Sequence, residues 1–322
     1  MKKFDLTYVT IERHPESLRE LVRARINLRG LRFTETSYEA GDESISRAFA
    51  QSETALLAPG RMISTDTLIK NSHLKLIQIW SSGTDKFNKS GAGIAGIRFA
   101  NNGGANRITV AEHTLMLMMA CLRRLPEMHA RAVSGNWAGN GHGMRTRLLS
   151  GKRVGIIGLG NIGGEVARLL KPFKTELLYA DLVRKPVLES ELGIQPVALE
   201  ELISTCDVIT VHLHLNNETR GILGESLLSK VKSGALLVNV SRAELVDQDA
   251  LLRALNRGQL GAVGLDVFIK EPTEFGDPLT NHPNVVCTPH SANTIDTHII
   301  VIDSCLDNIQ RVLKNKEPKW LA

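Results

Sequence analysis

The sequence predicts an α/β protein in two parts, a doubly wound parallel sheet inserted into a smaller α/β domain. Three observations carry this. Short apolar runs alternate with helical stretches from Phe4 onward, and the alternation starts afresh at Gly151. The second series opens on a strand, a glycine-rich turn and a helix, the start of a Rossmann-type unit. A last helix over 295–314 follows the final strand and is expected to return to the first part. The expected divisions are 1–102 with 295–322, and 103–294.

In order, Phe4–Thr10 alternates as a strand does, and Pro15 opens a helix through about residue 26. Residues 55–57 read as a strand, 65–71 as a helix, and 74–80 as a strand ending at Ser81-Ser82-Gly83-Thr84-Asp85. A strand at 97–100 leads through the loop Asn101-Asn102-Gly103-Gly104 into a long apolar helix over 109–123, which contains Glu112 and His113. Residues 126–149 are rich in Gly and Asn and read as an irregular arm suited to reaching another subunit. Trp137 and His142 lie in it, with no role assigned. Strands are then expected at 154–157, 177–180, 208–212, 236–240, 263–267 and 285–288, with helices between most of them.

The turn after the 154–157 strand reads Gly158-Leu159-Gly160-Asn161-Ile162-Gly163. Gly158 permits the tight turn, Gly160 lets a pyrophosphate approach the backbone, and Gly163 lets the helix pack closely on the strand. The helix that follows points its free N–H groups and positive dipole end at the phosphates. Asp181 ends the second strand, 18 residues beyond Gly163, where a carboxylate accepts hydrogen bonds from the adenosine ribose. A lone glycine pattern is also what an ordinary turn looks like; here the strand, the helix and the acid accompany it.

Composition excludes several classes. The 322 residues are 43% hydrophobic and 23% charged, a normal globular balance. The formal charge is +5, with no Lys/Arg block, so nucleic acid is not an expected partner. An anionic substrate and cofactor fit the excess, as does a solvated surface. Cys121, Cys206, Cys287 and Cys305 are widely spaced, which indicates neither a zinc site nor a disulfide framework, and no other metal site is expected. They are expected to be buried, in a reducing compartment. Met1-Lys2-Lys3-Phe4-Asp5 runs straight into a strand-like stretch, which argues against a signal peptide, and the apolar run 115–122 is too short for a bilayer. The expectation is a cytoplasmic protein with no membrane partner.

Three segments fall at the carboxyl ends of late strands, where open α/β sheets bind ligands. They carry Arg242, Glu271 and His290. Arg242 is a permanent cation whose fork suits a carboxylate and the carbonyl beside it. His290 can give or take a proton near neutral pH, and Glu271 can fix its tautomer. Singly, each also reads as structural: a strand-end cap, a loop acid before proline, a packed histidine after proline. Their joint appearance downstream of a nucleotide fingerprint favours chemistry.

With these residues in view, the chain resembles the D-isomer-specific 2-hydroxyacid dehydrogenases, a family that includes glyoxylate and hydroxypyruvate reductases, phosphoglycerate, formate and phosphite dehydrogenases. The matching segments lie at 76–88, 110–113, 151–163, 238–251, 264–272 and 288–290, nearly the whole chain. The resemblance implies a flavodoxin-like substrate-binding domain beside the NAD-binding one. It implies that Arg242, Glu271 and His290 form the catalytic triad. It assigns Asn161 and Ile162 to the pyrophosphate, His212 to the adenosine side, Val240 and Ser241 to backbone cofactor contacts, and Asp266 to the nicotinamide carboxamide. Ser81, Ser82 and Gly83 would cradle the substrate carboxylate through backbone N–H groups. Four positions depart from the family pattern. Ala243 replaces a glycine, His214 replaces a proline, the Asn101-Asn102 loop lacks a proline, and Trp80 is bulkier than usual. Trp80 either packs or shapes the substrate pocket, the second being favoured. His214 reads as a surface histidine. Glu112 and His113 are expected to hold their helix, and Asp85 the cradle loop.

The expected activity is hydride transfer between nicotinamide and C2 of a small 2-hydroxy or 2-oxo acid of the glyoxylate or hydroxypyruvate type. Asp181 would repel a 2′-phosphate and favours NAD, although Arg184 and Lys185 nearby leave NADP open. No basic residue lies between Lys75 and Lys86 for a substrate phosphate, unless Arg61 reaches in. Formate or phosphite oxidation, and a non-catalytic NADH-sensing corepressor-like protein, are the alternatives. A homodimer is expected.

Overall fold

The computed structural model describes residues 3–137 and 139–322; Met1, Lys2 and the side chain of His142, named above, lie outside the described residues. The described residues form two parallel sheets, as strands joined through helices require. The chain divides into one unit of residues 1–106 and 293–322 and another of 107–292.

The first unit runs β1 (Phe4–Thr10), α1 (Glu16–Leu28), β2 (Phe33–Ser37), α2 (Gly41–Phe49), β3 (Ser52–Leu57), α3 (Thr65–Lys70), β4 (Leu76–Ile79), α4 (Lys89–Ile94) and β5 (Phe99–Ala100). Its sheet has the order β2-β1-β3-β4-β5. Pro15 stands just before α1, where its missing N–H costs nothing. The chain's last helix, residues 295–313, also belongs here. It buries Val301, Ile302, Cys305, Leu306, Ile309 and Val312 in one core with Leu6, Leu56 and Leu76. These positions share one face at helical spacing. Arg25 of α1 and Arg29 just beyond its end pair with Asp303 and Asp307 of that helix.

The second unit runs α5 (Arg107–Arg123), α6 (Leu125–Val133), β6 (Arg153–Ile157), α7 (Asn161–Leu170), β7 (Glu176–Ala180), α8 (Pro186–Leu192), β8 (Gln195–Pro196), α9 (Leu199–Thr205), β9 (Val208–Val211), α10 (Glu225–Leu228), β10 (Ala235–Asn239), α11 (Gln248–Asn256), β11 (Leu260–Leu265) and β12 (Val285–Cys287). The last helix is thus α12 (Ile295–Leu313). The sheet order is β12-β11-β10-β9-β6-β7-β8, with the reversal between β6 and β9. Both faces are covered. Ile156, Val208 and Leu236 join one core, and their neighbours Ile157, Ile209 and Leu237 join the other. That two-residue alternation explains why these strands read as unbroken apolar runs.

Three sequence expectations change. The 126–149 stretch is not irregular throughout: α6 occupies its start, with Pro126 in the first turn, and a 3-10 segment spans Gly139–Arg145. β2, α2 and α4 were not expected. Cys287 is exposed at the end of edge strand β12, while the other three cysteines are buried.

Candidate active site

The fingerprint turn joins β6 to α7. Gly158 has φ +91°, and a Cβ there would stand 2.9 Å from the His212 carbonyl oxygen. A Cβ at Gly163 would lie 2.2 Å from the Gly158 carbonyl oxygen, so no other residue fits while the helix packs this closely. At Gly160 a Cβ would meet nothing within 4 Å. Gly160 is also the N-cap of α7, and no side chain caps that end. The Asn161 and Ile162 amides therefore open onto free space at the positive end of a helix, which fits a pyrophosphate. Asp181 stands exposed at the end of β7; its Oδ2 accepts from the Leu159 amide at 2.8 Å and its Oδ1 from the Val183 amide at 3.3 Å. The acid thus braces the turn. Arg184 is drawn to Glu189, which also accepts from the Tyr179 hydroxyl at 2.6 Å. His212 bonds Thr210 Oγ1 through Nε2 at 2.9 Å, while its Nδ1 is buried without a partner. Burial pushes its pKa down to about 3. His214 is exposed.

Beyond β10, the buried Asn239 holds the next turn. Its Oδ1 accepts from the Ser241 amide at 3.0 Å and its Nδ2 donates to the Arg242 carbonyl at 2.8 Å. The Ser241 hydroxyl donates to the Val211 carbonyl, and the Ser241 carbonyl accepts from Arg242 Nη1, both within 2.8 Å. Ser241's N–H and C=O both make bonds inside the protein. Ala243 is buried and starts the 3-10 turn Ala243–Leu245.

Asp266 is 1% exposed. Its Oδ1 accepts from Thr288 Oγ1 at 2.6 Å and from the Ser291 amide at 2.9 Å, and its Oδ2 from the Ala292 amide at 3.3 Å. His113 Nε2 lies 2.9 Å from Thr288 Oγ1 and 3.3 Å from Asp266 Oδ1. Burial raises the Asp266 pKa, but the bonds from His113, Thr288 and Ser291 outweigh it, and the net shift is downward. The carboxylate assigned to the carboxamide thus anchors the 288–292 turn. That anchoring is where His113 acts, which the sequence shows only as a helix residue.

The anchored turn places His290 at φ +51°, a left-handed backbone uncommon outside glycine. Its Nδ1 sits 3.0 Å from both Glu271 carboxylate oxygens. Glu271 Oε1 also accepts from the Phe268 amide at 3.1 Å. A carboxylate facing Nδ1 selects the tautomer with the proton there and supports the imidazolium. Nε2 has no partner among the described residues and is free to exchange a proton.

In the first unit, Ser81, Ser82 and Gly83 follow β4. Their carbonyls are tied back. Asn102 Nδ2 donates to Trp80 O at 3.1 Å, the Asn102 amide to Ser81 O, Asn101 Nδ2 to Ser82 O, and Ser81 Oγ to Gly83 O. Ser82 Oγ lies within hydrogen-bond distance of Asn102 Oδ1 and Asn106 Oδ1, at 2.7 and 2.5 Å, with one proton to give. The Ser82 and Gly83 amides bond nothing among the described residues, which suits an anion cradle. The three asparagines were not singled out as functional in the sequence. Trp80, expected to shape a pocket, is 7% exposed and packs in the first unit's core against Tyr8 and His14. Arg61 pairs with Asp42 at 2.6 Å and donates to the Met62 and Tyr38 carbonyls. No group of three or more His, Cys, Asp or Glu able to hold a metal occurs among the described residues, and no described helix is long and apolar enough to cross a membrane.

Comparison with known proteins adds an independent line. The family model described as D-isomer specific 2-hydroxyacid dehydrogenase, NAD binding domain, matches residues 115–292, more than half of the chain. A glyoxylate reductase of Korarchaeum cryptofilum is 37% identical over 222 residues, 68% of this chain and 67% of that protein. A formate dehydrogenase of Arabidopsis thaliana is 33% identical over 258 residues, 79% of this chain and 67% of that protein. A solved structure from Thermus thermophilus superposes with a TM-score of 0.84 at 29% identity, covering 98% of this chain and 99% of that one.

Proposed function

The chain belongs to the D-isomer specific 2-hydroxyacid dehydrogenases, and from that premise we propose that it reduces a small, unphosphorylated 2-oxo acid of the glyoxylate or hydroxypyruvate type. It is an NAD-dependent oxidoreductase of 2-hydroxy and 2-oxo acids. The observation that carries the residue assignment is the His290–Glu271 pair, with Nε2 left unpartnered, in the same unit as the fingerprint.

When bound, the nicotinamide supplies the hydride for C2 or takes it in the reverse direction. The Ser82 and Gly83 amides bind the substrate carboxylate. Arg242 is a cation whose planar fork suits a carboxylate and the carbonyl beside it. His290, as imidazolium, gives its Nε2 proton to the forming alkoxide. It is left neutral with the proton on Nδ1, the tautomer that Glu271 selects; in oxidation the neutral Nε2 takes the hydroxyl proton. Asp266, Thr288 and His113 hold the turn that aims the ring. Asp181 favours NAD over NADP, and the pairing of Arg184 with Glu189 removes a cation that a 2′-phosphate would need. The pairing of Arg61 with Asp42 likewise argues against a phosphorylated substrate.

The protein acts as a cytoplasmic homodimer in this reading. Val133, Trp137, Met144 and Leu148 are 74, 81, 88 and 67% exposed along and beyond α6, apolar surface that a second copy would cover. Light scattering tests this; a monomer at micromolar concentration refutes it. The activity test is a panel of 2-oxo acids with NADH and NADPH, plus formate and phosphite with NAD, followed at the nicotinamide absorbance band. Turnover of glyoxylate or hydroxypyruvate with NADH preferred is expected. NADH binding without turnover of any of them would make this a binding protein, and a clear NADPH preference would remove the Asp181 argument.

A further inference from the structure

The strand order of the first unit's parallel sheet, β2-β1-β3-β4-β5, switches sides between β1 and β3. Parallel sheets of this kind take ligands in the crevice outside their carboxyl ends at such a switch. The loop leaving β1 carries His14, and the loop leaving β4, at the same edge, is the cradle. The two loops meet. The His14 ring stacks on Trp80, the residue just before Ser81, with centroids 5.6 Å apart and planes 18° from parallel. Trp80 is itself fixed, by Tyr8 at 6.0 Å and by the bond from Asn102 to its carbonyl.

The His14 ring makes no hydrogen bond among the described residues. Its Nδ1 is buried without a partner, which leaves Nε2 as the nitrogen on the open side. Nothing in the hydride chemistry above uses this imidazole. Burial, aided by Arg13, His298 and Arg19 and opposed by Glu39, pushes its pKa down to about 4. It is therefore neutral at pH 7 and suits a neutral hydroxyl better than a carboxylate or a phosphate.

We infer that His14 is a specificity-determining residue whose Nε2 hydrogen-bonds a hydroxyl on C3 of the substrate while the cradle amides hold the carboxylate. The inference rests on the reading of this protein as a 2-oxo acid reductase. Trp80 acts as the floor that positions the ring, which gives this bulky residue a use despite its burial. The enzyme then favours acids bearing a C3 hydroxyl over acids that differ only in lacking it.

Hydroxypyruvate and pyruvate form that pair. The ratio of their kcat/KM values is measured for the wild type, His14→Phe and His14→Gln. Phenylalanine keeps a flat ring on Trp80 but cannot hydrogen-bond; glutamine restores a donor and an acceptor. The ratio is expected to fall about tenfold in His14→Phe, the worth of one hydrogen bond, with pyruvate turnover within about threefold of wild type and partial recovery in His14→Gln. A ratio that does not move, or an equal loss for both substrates, overturns the inference. Should the wild type reduce no 2-oxo acid, the parent reading fails instead. Calorimetric binding of D-glycerate against D-lactate then decides the role of His14 separately: a preference for D-glycerate lost in His14→Phe supports it, and equal binding overturns it.

Discussion

Two turns of the chain, 158–163 and 81–83, leave backbone amides without a partner among the described residues, and they are built in opposite ways. The 158–163 turn is specified by its own residues. Gly158 needs its φ of +91°, Gly163 has the Gly158 carbonyl 2.2 Å from where a Cβ would stand, and the exposed amides begin a helix. The 81–83 cradle has no such internal necessity. It is held by Asn101, Asn102 and Asn106, some twenty residues further on, which bond the Trp80 and Ser82 carbonyls and the Ser82 hydroxyl. A self-specified anion site tolerates almost no change within itself. A propped one is vulnerable at its props.

Substitution can break that contrast. The largest effect is expected for Gly163→Val, whose side chain would collide with the Gly158 carbonyl. NADH affinity, followed by fluorescence titration, should fall by about 100-fold or more, equivalent to roughly 3 kcal/mol of overpacking strain. Retained affinity would mean that the turn has slack. Each site also has a histidine held neutral by burial, His212 with a pKa of about 3 beside the fingerprint and His14 with about 4 beside the cradle. Unfolded histidine titrates near 6.5. Below that pH the unfolded chain binds more protons than the folded one, so stability is fully present above about 6.5 and is lost on acidification toward 4 for His14 and 3 for His212. The loss by pH 5 should be about 2 kcal/mol for His212 and less for the partly exposed His14. Denaturation at pH 8 and pH 5 measures it, and His212→Asn should flatten the difference. The smallest effect is expected at the cradle's prop. Asn102→Ala frees the Trp80 carbonyl and leaves the Ser82 hydroxyl to Asn106 alone, and should raise KM for the 2-oxo acid about tenfold while leaving NADH affinity unchanged. A larger loss in NADH binding than in KM would contradict the account.

The same contrast explains what was legible in the sequence. The fingerprint, Asp181 and the second unit's strands other than the exposed two-residue β8 could be read directly, because glycine spacing and doubly buried strands follow from local steric and apolar demands. Arg242, Glu271 and His290 were readable as residue types at strand ends; the 3.0 Å pairing of His290 with Glu271 needed the fold. The props Asn101, Asn102, Asn106 and Asn239 were not found, since a polar side chain that bonds a distant backbone leaves no period. Asn-Asn before Gly-Gly was the available signal. β2 was missed because Phe33–Ser37 is a half-buried edge strand with no apolar run. α6 was missed because the Gly and Asn content of 126–149 read as one irregular arm, whereas Pro126 at a first turn is an ordinary helix start. Cys287 was misplaced because an apolar run at the edge of a sheet does not guarantee cover.

The central claim is that His290, held by Glu271, moves the proton that accompanies hydride transfer. The direct test is turnover of glyoxylate or hydroxypyruvate by His290→Ala at saturating NADH, followed at the nicotinamide absorbance band. A fall in kcat of about 10²–10⁴-fold with NADH affinity unchanged is predicted. Turnover equal to that of the wild type would contradict it.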